Sequence, residues 1–153
     1  MLAELASAEV FWLSTVRPDG RPHVTPLLGA WLGGSFWFCT GPGERKAANI
    51  AANPSCAVTT GHNGLVGLDV VIDGVADPVS GRSKRSTVAE GFEVKYGAHF
   101  AAPAGTWAGL GDGMRAGEVL VFQVVPRVVL AFAKSDTYSQ TTWTFSGPEG
   151  SPS

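Results

Sequence analysis

Short apolar runs separated by glycine and proline place the strongest constraint on how this chain can fold. Phe11–Val16 is rich in aromatic and β-branched residues and is followed by a Pro-Asp-Gly sequence typical of a tight turn. A second run covers residues 22–31, and after a Gly-Gly pair the run Ser35–Thr40 follows. Because turns this tight join antiparallel neighbours, we predict that the three runs form one meander.

Two helices and further strands are predicted in the rest of the chain. Residues 44–53 are rich in alanine and are followed by a proline, which predicts a short helix. A four-residue spacing relates Val88, Phe92 and Tyr96, which predicts an amphipathic helix over residues 82–97. Further strands are predicted at residues 54–60, 67–79, 119–125, 128–133 and 141–145.

Two of these segments carry more specific expectations. Residues 67–79 are apolar at both alternating sets of positions, which predicts a strand buried on both faces in the middle of a closed sheet. Residues 98–117 are rich in glycine and are predicted to form a loop that contains Trp107. This loop is either a lid or substrate wall, or an ordinary surface connection.

The strand pattern predicts a mainly-β domain, a barrel with small helices packed at its ends. A chain of 153 residues is the size of one domain, and we assign residues 1–146 to it. Residues 147–153, with two prolines and two serines, are predicted to be a flexible tail.

The low net charge excludes several classes of partner. A formal net charge of -2 leaves no broad basic surface for nucleic acid and no polybasic segment for a membrane. Neither a signal peptide nor an apolar run long enough to span a bilayer is recognisable, so we expect a cytoplasmic protein. The three histidines and two cysteines lack metal-ligand spacing, so no metal site is predicted.

The segment between the third strand and the first predicted helix is the best candidate for a ligand site. The Thr40 hydroxyl, the Gly41 amide and the cations Arg45 and Lys46 could together clamp a phosphate at the start of the helix. Alternatively, the two cations form a solvated basic pair, and Glu44 compensates the helix dipole. Local physical chemistry leaves these two interpretations open.

Several stretches resemble a known family. They are Trp12-Leu-Ser-Thr-Val-Arg-Pro-Asp-Gly-Arg-Pro-His-Val-Thr-Pro26, Phe36-Trp-Phe-Cys-Thr-Gly-Pro-Gly-Glu-Arg-Lys46, and the segments 67–76 and 131–145. The first two are similar to the pyridoxamine 5′-phosphate oxidase-like superfamily of split β-barrel flavin and deazaflavin proteins. The last two resemble its actinobacterial branch of coenzyme F420-dependent oxidoreductases.

The resemblance implies a homodimer of split β-barrels with two cofactor sites at the interface. The cofactor would be F420 or FMN, with its phosphate held by Thr40, Gly41, Arg45 and Lys46. The strand Val24, Thr25, Pro26, Leu27 and Leu28 would lie along the ring system. Near the ring edge or the substrate, either in the same chain or across the dimer interface, would lie Lys134, Gln140 and Trp143.

The function implied is hydride transfer between the cofactor and a small electron-poor organic substrate. No catalytic residue is predicted, because the cofactor carries the reactive centre. Vitamin B6 oxidase activity is not expected, since the arginine-containing C-terminal motif of true pyridoxamine phosphate oxidases is missing. Two alternatives stay open: a non-catalytic split-barrel protein that binds FMN, F420 or haem, and a dimeric scaffold with a vestigial site.

Overall fold

A computed structural model describes residues 1–146, so the predicted tail 147–153 lies outside the described residues. The helices are α1 Leu2–Ser7, α2 Arg45–Ala52, α3 Arg82–Phe100 and α4 Leu110–Ala116. The strands are β1 Phe11–Val16, β2 Pro22–Leu27, β3 Gly29–Leu32, β4 Ser35–Thr40, β5 Ser55–Thr60, β6 Gly67–Pro78, β7 Leu120–Lys134 and β8 Ser139–Thr144. None of the helices in this part of the chain has both the length and the apolar character needed to cross a membrane.

All strands belong to one antiparallel sheet that curls into a split barrel. The order along the sheet is β2-β1-β5-β6-β7-β4-β3, and β8 pairs with the second half of β7. The two edge strands, β2 and β3, are consecutive in the chain, with only Leu28 between them. The chain therefore joins the two edges of the sheet at Leu28, and the mainly-β, split-barrel prediction is confirmed.

The predicted three-stranded meander is wrong. Residues 22–31 do not form one strand, because β2 ends at Leu27 and pairs with β1, whereas β3 pairs with β4 on the other edge. The two halves pack in different places: Leu27 belongs to the core inside the barrel, and Ala30 belongs to a second core beneath α3. Burial of the two halves in different cores explains why the predicted single strand breaks into two.

The break between β2 and β3 is held by side chains of α3. The Gly29 N–H donates to Tyr96 Oη at 3.1 Å, and Tyr96 Oη lies 2.7 Å from Gly29 O and 2.8 Å from Glu9 O. Lys95 Nζ donates to Gly29 O at 2.9 Å and to Leu5 O at 3.1 Å. Burial lowers the pKa of Lys95 to about 8 and raises the pKa of Tyr96 to about 12, so Tyr96 keeps its hydroxyl proton at neutral pH.

Two apolar cores lie on the two faces of the sheet. The barrel core is built around aromatic pairs, in which Phe11 packs edge-on against Phe36 and Phe38 stacks on Phe122. The second core lies between the sheet and the long helix, and the predicted four-residue repeat of α3 is buried there: Val88, Phe92 and Tyr96.

The segment 98–117 differs from the predicted loop. Helix α3 continues to Phe100, and α4 occupies Leu110–Ala116 despite two internal glycines. Packing overrides the poor helix propensity of glycine, because a Cβ atom on Gly111 would overlap the Glu93 carboxylate. The Arg115 guanidinium fixes α4 to α3 through two hydrogen bonds to Glu93, of 2.6 and 2.8 Å.

The long strands also differ from expectation. β6 is buried on one face only: Val70 and Ile72 point into the barrel, whereas Val71 and Val75 face outward and are half-buried. β7 is one strand rather than two, and it passes through Pro126 where the register with β6 shifts at Gly74. Proline is tolerated there because an irregular position does not require every backbone N–H to pair. The helix α1 was not predicted.

The close approach of Gly29 to Phe36 generates a stability prediction. A Cβ atom at Gly29 would overlap the Phe36 ring, so Gly29→Ala is expected to lower the free energy of unfolding by about 1–3 kcal/mol. Gly43→Ala is the matched control, because nothing lies within 4 Å of its Cβ position, and its effect is expected to stay within about 0.5 kcal/mol. Urea denaturation of both variants measures the difference, and equal stabilities would contradict the packing argument.

Candidate functional site

A cavity of about 220 Å³ lies where the barrel break meets the start of α2. Its walls come from the end of β2, the end of β4, the α2 N-terminus and the segment around α4. The lining residues are Pro26, Leu27, Leu28, Cys39, Thr40, Gly41, Glu44, Lys46, Trp107, Leu110 and Val119. Apolar side chains form most of this wall, and the polar groups are concentrated at the α2 end.

Half of the predicted cofactor residues line this cavity. The structure brings together three from the β2 end and three from the segment that begins at the end of β4: Pro26, Leu27, Leu28, Thr40, Gly41 and Lys46. The other six do not line it in the single chain: Val24, Thr25, Arg45, Lys134, Gln140 and Trp143. Sequence segments about fifteen residues apart therefore converge on one cavity, as the resemblance implied.

The polar end of the cavity carries hydrogen-bond donors suited to an anion. Thr40 and Lys46 are buried, with 4% and 7% of their surfaces exposed. Thr40 Oγ1 has no hydrogen-bond partner, although it lies close enough to the Glu44 carboxylate to contribute slightly to lowering its pKa. A buried hydroxyl without a full partner costs free energy, and an anion in the cavity would satisfy it.

The Glu44 side chain already accepts hydrogen bonds from the other donors at this end of the cavity. Its carboxylate accepts from the Gly41 N–H at 3.1 Å and forms an ion pair with Lys46 Nζ. The hydrogen bond from Lys46 is the main reason that the pKa of Glu44 is lowered. Because Glu44 is exposed, its side chain can turn into solvent and leave Lys46 and Gly41 to an incoming phosphate.

The two adjacent cations have different environments. Lys46 lines the cavity, whereas Arg45 is exposed to solvent. Successive residues on an α-helix point about 100° apart, so a single helix start cannot direct both side chains into one narrow cavity. Of the two cations, only Lys46 is therefore placed where it could bind a ligand in this cavity.

A polar cluster stands on the inner face of the first strand pair, near the same cations. Asn49 is fully buried and donates from Nδ2 to Thr15 Oγ1 at 3.0 Å, and Thr15 pairs across the sheet with His23. Burial lowers the pKa of His23, and the positive charges of Arg17, Lys46 and Arg45 lower it further. His23 Nδ1 and Thr25 Oγ1 are buried without a hydrogen-bond partner, and as alternate residues of β2 they lie on the same face of the strand.

The predicted residues from the end of the chain lie elsewhere. Lys134 Nζ forms an ion pair with Asp69 at 2.9 Å and donates to His62 O at 2.7 Å. Gln140 and Trp143 are exposed on β8, which pairs with the second half of β7. Within one chain these residues form a group separate from the cavity.

The sequence interpretation missed part of the wall. Leu110 and Val119 come from the segment around α4, which was predicted to contain no helix. Trp107 was proposed as a lid or wall, and it lines the cavity with 41% of its surface exposed. Cys39 also lines it, but burial raises the pKa of this thiol to about 11, which leaves it unreactive at neutral pH.

The fold and the site together define a split-barrel protein with a cavity at the barrel break and hydrogen-bond donors at a helix start. The chain belongs to the pyridoxamine 5′-phosphate oxidase family, whose model matches residues 1–134. No curated protein matches the sequence at a significant level.

Solved structures with similar folds come from several bacteria. A haem-binding protein from Mycobacterium smegmatis superposes with a TM-score of 0.68 and 18% identity, over 93% of this chain but only 58% of its own. A conserved hypothetical protein from Mycobacterium tuberculosis superposes with a TM-score of 0.66 and 19% identity, over 98% of this chain and 90% of its own. A FAD-binding protein from Mesorhizobium loti superposes with a TM-score of 0.63 and 20% identity, over 85% of this chain and 90% of its own. At sequence identities this low, the comparisons establish that the folds are similar.

The charges around His23 generate a prediction for anion binding. An anion held by Lys46 offsets part of the positive charge near the imidazole, so the pKa of His23 is expected to rise when inorganic phosphate is added. NMR titration of the imidazole protons with and without phosphate measures the change, with His62 as an internal reference. In Lys46→Met the rise is expected to be smaller, and an equal rise would place the anion elsewhere.

Proposed function

We propose that the protein is an oxidoreductase that binds F420 or FMN and acts on a small electron-poor organic substrate. The observation that carries this proposal is the convergence of five predicted residues on one cavity that has both an apolar wall and an unpartnered hydroxyl, that of Thr40. The five residues are Pro26, Leu27, Leu28, Thr40 and Lys46. Membership of the family and the FAD-binding neighbour support flavin chemistry in this cavity.

In this proposal, different residues contact different parts of the cofactor. Lys46 neutralises the phosphate, the Thr40 hydroxyl and the Gly41 N–H donate hydrogen bonds to it, and Glu44 moves aside. Leu27 and Leu28 exclude water from the apolar wall. When bound, the flavin or deazaflavin supplies the hydride, so the chain needs no acid or base triad.

A second copy of the chain completes the site in this proposal. The cavity of about 220 Å³ falls below the ~300–1,000 Å³ of pockets that enclose a drug-sized ligand. The outer face of the sheet carries a row of paired residues that includes Trp12, Val71 and Leu130. Trp12 is 49% exposed, and such a surface fits an interface that brings the partner's β7 and β8 region to the cavity.

The main alternative is binding without turnover. The haem-binding neighbour gives this alternative its support, and iron in haem is held by a side-chain ligand such as histidine. Among residues 1–146, no histidine lines the cavity. We therefore favour a flavin or deazaflavin over haem.

Cofactor titration tests the proposal. The purified protein is expected to bind F420 or FMN, and Lys46→Met is expected to weaken binding by about 10- to 100-fold, as loss of a charge-assisted hydrogen bond implies. Arg45→Met is the matched control and should change the affinity by less than about threefold, because this side chain is exposed. Glu44→Gln is expected to tighten binding, since Lys46 loses its competing partner.

Turnover separates the enzyme from the alternative. The reduced cofactor bound to the protein is mixed with an enone or a quinone, and its reoxidation is followed by absorbance. Reoxidation that depends on the protein supports the oxidoreductase, whereas binding without it supports storage or sensing. If neither cofactor binds, only a scaffold with a vestigial site is left.

The proposed interface generates a prediction of its own. Val71→Lys adds a charge to the centre of the outer sheet face, and it is expected to convert a dimer into a monomer and to weaken cofactor binding. Val94→Lys on α3 is the matched control, because Val94 is 90% exposed on another surface. Light scattering after size-exclusion chromatography measures the mass, and a monomeric wild type would contradict the proposed interface.

A further inference from the structure

A second, smaller cavity adjoins the first. It encloses about 140 Å³ and is lined by Glu9, Val10, Leu28, Tyr96, His99 and Trp107. Leu28 and Trp107 belong to the walls of both cavities. The two cavities are therefore neighbours that are separated by these two side chains.

The volume of the second cavity fits one six-membered ring. An apolar cavity of about 150 Å³ engineered into another protein stays dry and binds benzene, which sets the scale. The hydroxyl of Tyr96 is already engaged with Gly29 and Glu9 O, so it offers the interior no free donor. The apolar part of the wall comes from Val10, Leu28 and Trp107 together with the ring of Tyr96.

The rim of the second cavity carries polar groups. His99 Nε2 and Glu9 Oε1 lie 3.9 Å apart, and both side chains are largely exposed. A ring in the cavity could direct one carbonyl or hydroxyl substituent toward them, because an imidazole N–H donates and a carboxylate accepts.

Trp107 is held in place as a wall rather than left on a free loop. The segment between α3 and α4 is closed by hydrogen bonds from Gly109 N to Phe100 O and from Leu110 N to Trp107 O. The Arg115–Glu93 pair anchors α4 against α3 beyond this turn. These contacts hold the backbone around Trp107, and the Trp107 side chain lines both cavities.

We propose that the second cavity binds a single apolar ring with one polar substituent, and that Trp107 and Val10 determine this size limit. The inference rests on the proposed function, for which it narrows the substrate to a one-ring electron-poor molecule. The ring would lie next to the cofactor cavity, on the other side of Leu28 and Trp107.

Ligand-observed ¹⁹F NMR on the full chain without cofactor tests the inference. Fluorobenzene is expected to bind, and 1-fluoronaphthalene, which has two fused rings, is expected to bind at least about tenfold more weakly. Val10→Phe fills the cavity from its exposed rim and should weaken fluorobenzene binding by about tenfold or more. Trp107→Ala removes the wall and should remove the preference for one ring.

The controls keep this test separate from that of the cofactor. Val94→Ala removes an exposed apolar side chain of α3 that lines neither cavity, and it should bind fluorobenzene as the wild type does. Val10→Phe should keep the wild-type affinity for F420 or FMN. If fluorobenzene does not bind, or binds Val10→Phe unchanged, the inference is overturned, whatever the cofactor titration gives. If only cofactor binding fails, the proposed function falls and the ring site stands.

Discussion

The attachment of Gly29 to α3 is the constraint on which the rest of the structure depends. A sheet whose two edges are consecutive in the chain must be held where the chain passes between them, and Tyr96 and Lys95 hold it there through the backbone of one glycine. This attachment fixes the end of β2, and with it Leu27 and Leu28, against the end of β4. The cavity is thus a consequence of how the barrel is split.

Under the proposed function, Glu44 takes the place of the cofactor phosphate at the polar end of that cavity while the protein is empty. Glu44 supplies a carboxylate to the donors that a phosphate would use, so Lys46 is neutralised while it is buried. The arrangement avoids an unpaired buried charge in the empty protein. It also makes the affinity for a cofactor the difference between two anions that compete for one lysine.

The sequence predicted the barrel, the positions of most strands and half of the cavity residues, because turn residues and residue periodicity report local structure directly. The prediction failed where contacts between residues far apart in the chain determine the structure. Residues 22–31 read as one strand, and only the two cores on opposite faces explain the break at Leu28. The α4 helix depends on the contact of Gly111 with α3, and the different fates of Arg45 and Lys46 depend on helix phase. The two cores, the contact of α4 with α3 and the position of the cavity relative to α2 all depend on residues that are distant in the sequence.

Leu28 and Trp107 form a partition that two compartments share. If the two cavities hold the proposed cofactor and substrate, a substitution at either residue alters the fit of both during evolution, so cofactor preference and substrate range change together. Diversification of such a lineage would be easiest at positions that border one compartment only, such as Val10 or Cys39.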